Sequence, residues 1–195
     1  MEPAHYYSQD EIKLLQDKAL IERKNRLLAH LGDQLAHLGE ASKELYPELL
    51  TYSTNYKVSK GEQQDGLPFR LLDFPRYFTK EDVFAFRTLI WWGKYISCTL
   101  HLKGRFLIES KENIFRKLDQ TEKGDLLCSL DGDEWEVDLL AANYEEFNSI
   151  DKAKVESANF IKLIRYTPLS NLNKLNTFHH NSLKQLLSFT PYAKH

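Results

Sequence analysis

Two runs, FAFRTLIWW at residues 84–92 and YISCTLHL at residues 95–102, separated only by Gly93-Lys94, decide the fold of this chain. They are its densest apolar stretch and are rich in aromatic and β-branched residues, which pack well on a pleated surface. Gly93-Lys94 reads as a turn between two antiparallel strands. A second turn at Lys103-Gly104 would carry the chain into RFLI, residues 105–108, as the third strand of a meander. A helix across Val83 to Ile90 is the competing reading.

Upstream of this hairpin, FRLLDF at residues 69–74 predicts a short strand that Pro75 stops, and Thr79 is a candidate N-cap for a helical turn through Glu81 to Phe84. Residues 51–68 change to Ser, Thr, Asn, Lys, Gly and Gln, and read as a polar surface loop. Residues 1–50 are helical in pattern. Ser8 and Glu11 match a capping box, which starts a helix at about Gln9. Leu14, Ile21, Leu28, Leu35 and Leu49 then recur at multiples of seven, with Leu31, Leu38 and Leu45 between them. Ser42 alone interrupts the later part of this stripe. Leu-Ala-His-Leu-Gly occurs twice, at Leu28 to Gly32 and Leu35 to Gly39, and lays a row of small residues beside the leucines. Each Gly costs about 1 kcal/mol of helix propensity relative to Ala, so the reading is one long helix or two separated by a bend near Gly32 or Gly39.

Downstream, Ser110 to Leu118 predicts a helix, and Asp125 to Leu139 a hairpin in which LLCSL and EWEVDL flank a turn at Asp131-Gly132. Ala142 to Phe147 and Asp151 to Ala158 predict short helices, Asn159 to Tyr166 a strand, and Asn181 to Ser188 a closing helix. Helices and strands do not alternate as βαβ units. The order predicts an α+β fold, with the helical segment packed on a mostly antiparallel sheet. We read residues 1–195 as a single domain: a helical part over 1–50, a polar loop over 51–68 and a β-rich body with short helices over 69–195.

The length and a hydrophobic content of 42% suffice for one continuous core. With 26 Lys and Arg against 28 Asp and Glu, the formal charge is −2, so no field of one sign steers nucleic acid or an anionic membrane. No basic start followed by an apolar stretch stands at the N-terminus, and no run approaches the ~20 apolar residues that span a bilayer. Cys98 and Cys128 each lie among apolar residues of a predicted strand and read as reduced core thiols. A soluble, cytoplasmic protein is the resulting expectation, with neither nucleic acid nor membrane as partner.

Candidate chemistry centres on one face of the hairpin. Side chains alternate along a strand, so Tyr95, Ser97, Thr99 and His101 oppose Ile96, Cys98, Leu100 and Leu102. A two-residue loop would pair Trp92 with Tyr95 and place Arg87 among the apolar side chains. A three-residue loop pairs Trp91 with Tyr95 and sets Arg87 beside Thr99, which avoids burying an unpaired guanidinium and is preferred. Arg87, Trp91, Tyr95 and His101 then share a surface, with Asp73, Arg76 and Tyr77 near in sequence. Aromatic walls, a guanidinium and an imidazole suit a small anionic or aromatic ligand. The competing structural reading pairs Arg87 with Asp73 or Asp82, fills the core with the tryptophans and leaves His101 on a solvated strand.

His30, Asp33, His37 and Glu40 share a helix face, but two turns of helix put about 10 Å between the histidines, too far to ligate one ion together. His179-His180 sits in a polar helix start with no evident orienting partner. No metal motif, phosphate loop or cofactor fingerprint is present, so no metal and no cofactor is expected. The best reading is a small-molecule-binding or regulatory domain with its pocket at Arg76, Tyr77, Arg87, Trp91, Tyr95 and His101. A hydrolase or transferase would use the same pocket, with His101 as base, Asp73 or Asp82 orienting it and Arg76 or Arg87 as oxyanion clamp. A third reading is an interaction module that pairs through the leucine stripe. The chain is accordingly read as a monomer or a homodimer.

Overall fold

The hairpin at residues 83–103 is the centre of the sheet. In the computed structural model, which describes residues 6–118, 126–140 and 143–192, strand β3 (Val83–Trp91) pairs antiparallel with β4 (Tyr95–Lys103). The register sets Arg87 opposite Thr99 and Ile90 opposite Ile96, which is the preferred three-residue loop. The competing helix over Val83 to Ile90 does not form. Around this pair β1 (Lys57–Gln64), β2 (Leu67–Phe78), β5 (Leu127–Ser129), β6 (Glu145–Glu146) and β7 (Phe160–Pro168) complete a sheet of order β1-β2-β3-β4-β7-β5-β6. Every pairing within it is antiparallel. The arrangement is α+β.

One face of the sheet carries the helices. α1 (Gln9–Gln16) begins at the capping box, where Ser8 Oγ accepts from Glu11 N at 3.2 Å and Glu11 accepts from Ser8 N at 2.7 Å. A break at Asp17 separates it from α2 (Lys18–Leu45), which runs unbroken past Gly32 and Gly39, so of the two readings of this stretch the single long helix forms. Leu28, Leu31, Leu35 and Leu38 of α2 pack with Leu72, Ile90 and Ile96 of the sheet. α3 (Arg105–Leu118), α4 (Lys152–Ser157) and α5 (Leu175–Leu187) complete the helices, and a larger core gathers Phe84, Phe86, Leu100, Phe106, Leu163 and Leu186. Cys98 and Cys128 are buried free thiols in β4 and β5.

Several segments depart from their sequence reading. Most of the polar loop over 51–68 is the edge strand β1 and its turn at Asp65-Gly66. Its polar side chains suit an edge, while its backbone is satisfied by the ladder to β2. Pro75 does not stop β2, which continues to Phe78 with a register shift between Asp73 and Arg76, where Pro75 has no N–H to give to a ladder. No helical turn starts at Thr79: its hydroxyl accepts from Asp82 N at 2.9 Å and closes the turn into β3. RFLI is not a third meander strand but the start of α3. There Asp82 Oδ1 accepts from Arg105 N at 2.9 Å, so the group that satisfies this helix start comes from another turn and leaves no local signature. Phe147 begins a single 3-10 turn, Phe147–Ser149, in place of the helix expected over 142–147; Ala142 lies outside the described residues.

EWEVDL, residues 134–139, forms no strand. The turn at Asp131-Gly132 is present, with Gly132 at φ +76°, but the chain then crosses the second face of the sheet instead of pairing with β5. Its carboxylates capture its own amides: Glu136 Oε1 accepts from Val137 N and Asp138 N, each at 2.7 Å, and Asp133 Oδ1 accepts from Trp135 N at 2.9 Å. Short acidic side chains compete in this way with a β ladder for backbone donors.

Candidate functional site

Beneath residues 134–140 the second face of the sheet holds a cavity of about 200 Å³. Its floor is one row of alternate positions: Phe69 and Leu71 from β2, Arg87 and Leu89 from β3, Ser97, Thr99 and His101 from β4, Lys162 and Ile164 from β7. Its roof is Glu134 to Val137, Leu139 and Tyr144. The lining is mostly apolar, with polar groups concentrated where β4 meets β7.

Side chains of β4, the turn before it and β7, together with Tyr144, tie residues 134–139 down. Tyr95 Oη donates to Val137 O at 2.6 Å and accepts from Leu139 N at 3.0 Å. Tyr144 Oη donates to Glu136 O at 2.7 Å, and Lys162 Nζ donates to Glu136 O and, at 2.7 Å, to Tyr144 Oη. Lys94 reaches Asp138 at 3.3 Å and Lys103 reaches Glu134 at 2.8 Å. The roof is thus held by groups on β4, its preceding turn and β7, through partners far away in sequence.

His101 is wholly buried, and neither of its ring nitrogens has a hydrogen-bond partner among the described residues. Glu134 Oε2 lies 3.5 Å from its Nε2 without forming a hydrogen bond, and that oxygen too has no hydrogen-bond partner among the described residues. Burial, with Lys162, Arg87 and Lys103 adding to it, holds the imidazole far below its ordinary range, at about 3, so the ring is neutral near pH 7. A neutral imidazole offers one donor and one acceptor. Trp135 lies edge-on to His101 at 5.3 Å between centroids.

Arg87 meets both descriptions that its sequence context allowed. Its Nε donates to Asp73 Oδ1 at 2.8 Å, its guanidinium lies 5.9 Å from the Phe78 ring and 5.8 Å from the Trp135 ring, and it still lines the cavity. Asp73 is therefore committed to Arg87. Asp82 is committed to the start of α3 and stands outside the cavity lining, so neither aspartate is placed as an orienter of His101. Arg76 is exposed. Tyr77 packs edge-on to Phe106, 5.1 Å between centroids, on the helix side. Trp91 is buried with its Nε1 donating to Gln64 O at 3.1 Å, and Tyr95 spends its hydroxyl on the roof. Of the sequence candidates, Arg87 and His101 line the cavity.

Lys162, Glu134, Trp135 and Tyr144 escaped the sequence reading. Lys162 had a signal: within FIKLIRY it shares a strand face with Phe160 and Ile164, a charge where alternation calls for an apolar side chain. The other three come from segments whose placement no local pattern encodes. His30, Asp33, His37 and Glu40 are exposed along α2, and no cluster able to hold a metal occurs among the described residues.

His179 belongs to a different, sealed site. Ser42 Oγ donates to Leu38 O at 2.7 Å, so it accepts from His179 Nε2 at 2.9 Å, and Thr88 Oγ1 then donates to His179 Nδ1 at 2.9 Å. This chain of bonds joins α2, α5 and β3 inside the core. No helix among the described residues is long and apolar enough to cross a membrane. No protein family, no curated protein and no solved structure matches the chain.

Proposed function

We propose that this protein binds a small molecule in the cavity between the β2-β3-β4-β7 floor and residues 134–140. The observation that carries the reading is His101, fully buried beside a mostly apolar cavity, with neither ring nitrogen hydrogen-bonded among the described residues. A buried polar group without a partner costs about 1–3 kcal/mol, a cost that a ligand's donor and acceptor would offset. Apolar walls, a neutral imidazole, the Arg87 guanidinium and the Lys162 amino group suit an aromatic or other compact apolar body bearing one hydrogen-bonding or anionic group.

A hydrolase or transferase reading draws on the His101–Glu134 approach at 3.5 Å, with Glu134 in the orienting place first given to Asp73 or Asp82. An imidazole held near 3 is a weak proton acceptor at neutral pH, because a general base works best with a pKa near the working pH. Binding is therefore favoured over catalysis. An interaction module that uses the Leu28 to Leu49 stripe would compete with the core packing that Leu28, Leu31, Leu35, Leu38 and Leu49 already make.

Ligand-observed NMR with a panel of small aromatic acids, amides and alcohols tests the proposal. Binders are expected whose signals are lost with His101→Phe and retained with His30→Ala on the exposed side of α2. A panel without binders, or binders indifferent to His101→Phe, would overturn it.

A further inference from the structure

Lys162 is 4% exposed, lines the cavity from β7 opposite His101, and forms no ion pair among the described residues. Among the described residues its Nζ has two hydrogen-bond partners, both acceptors: Glu136 O and Tyr144 Oη. Two acceptors match the two hydrogens of a neutral amine. An ammonium would carry a third N–H with no hydrogen-bond acceptor among the described residues, only the Tyr144 ring 5.0 Å from Nζ, and a buried cation without a carboxylate in ion-pair contact is costly. The third valence of the nitrogen, a lone pair in the neutral form, has no partner among the described residues.

Resting on the ligand-pocket reading above, we propose that Lys162 is a carbonyl-capturing amine and that the pocket takes a small, largely apolar aldehyde or ketone as an imine on Nζ. The Nζ lone pair attacks the carbonyl carbon while the carbonyl π electrons pass to oxygen. The two amine hydrogens then leave with that oxygen as water, and a C=N bond replaces the C=O bond. No oxidant or reductant is needed. Uptake of one proton from solvent converts the imine to its protonated form, whose single N–H has Glu136 O as acceptor. The titration of Lys162 agrees with this chemistry: burial lowers it to about 8, with Arg87 adding, against the opposing pull of Glu136, Asp133 and Glu134. His101, which faces it across the strands, is neutral in that range.

The test uses the full chain, benzaldehyde as carbonyl probe and sodium cyanoborohydride to reduce any imine to a stable amine, followed by peptide mapping. A parallel NMR titration with benzyl alcohol reports occupancy of the pocket without imine chemistry. At pH 7 Lys162 is expected to be modified at least about tenfold faster than the exposed Lys18, because burial lowers the Lys162 titration and enlarges its free-amine fraction. Its rate should rise through a midpoint near 8. Benzyl alcohol binding together with labelling spread evenly over the exposed lysines would overturn this inference and leave the pocket reading intact. Absence of both would overturn the two together.

Discussion

At the scale of single residues, burial without a partner separates the informative side chains from the ordinary ones. Ser42 interrupts the leucine stripe because its hydroxyl is needed: it accepts from His179 inside the core at 2.9 Å. Ser42→Ala should leave that imidazole N–H unpaired and cost about 1–3 kcal/mol in urea unfolding, whereas a loss under a few tenths would remove the significance given to this bond. Gly32 and Gly39 occupy equivalent places in the Leu-Ala-His-Leu-Gly repeat but face different surroundings. A Cβ at Gly39 would meet the Tyr56 ring at 2.5 Å, and one at Gly32 would meet nothing within 4 Å. Gly32→Ala should therefore stabilise the protein by up to about 1 kcal/mol through helix propensity, and Gly39→Ala should destabilise it despite the same gain. Melting temperatures of the two variants that moved in the same direction would refute this account. Neither distinction is visible in two identical pentapeptides.

Among the elements, α2 shows how one periodic pattern serves two environments. Leu35 is wholly buried against the sheet, while Ile21, two heptads earlier in the same stripe, is 52% exposed. Leu35→Asp should cost about 4 kcal/mol or more, since it empties a packed site and buries a charge. Ile21→Asp should stay within about 0.5 kcal/mol, and equal losses in denaturant midpoints would show the two halves to be packed alike. The roof segment makes the opposite point: EWEVDL alternates like a strand, yet its carboxylates take its own amides while Tyr95, Tyr144 and Lys162 take its carbonyls. Trp135 sits on this segment beside His101 and Arg87. A bound ligand should change Trp fluorescence, and Trp135→Phe should abolish most of that change; a signal that persists would come from Trp91 or Trp92 and place the ligand elsewhere.

For the molecule as a whole, two imidazoles couple folding to pH. His101 and His179 are each lowered to about 3, chiefly by burial, from an ordinary value of 6.5. Between these values the unfolded chain binds more protons than the folded one, so stability is complete above 6.5 and falls as pH drops towards 3. Each imidazole contributes up to roughly 1.4 kcal/mol per pH unit inside that window. Stability from urea unfolding should therefore drop between pH 6 and pH 4, and His101→Phe should make the drop shallower; an unchanged slope would contradict a buried neutral His101. The periodicities determined much of this architecture from sequence alone: the capping box, the α2 stripe and the β3–β4 hairpin are local patterns of spacing and turn chemistry, while the hairpin register rests only on keeping Arg87 out of the apolar face. The leucine stripe announced an apolar face without saying what it would meet. Tertiary structure alone decided that β1 pairs, that Asp82 supplies the start of α3, and that residues 134–140 roof a cavity over His101, Arg87 and Lys162. Those outcomes depend on backbone donors and acceptors finding partners tens of residues away, and such pairing leaves no periodic trace in the chain.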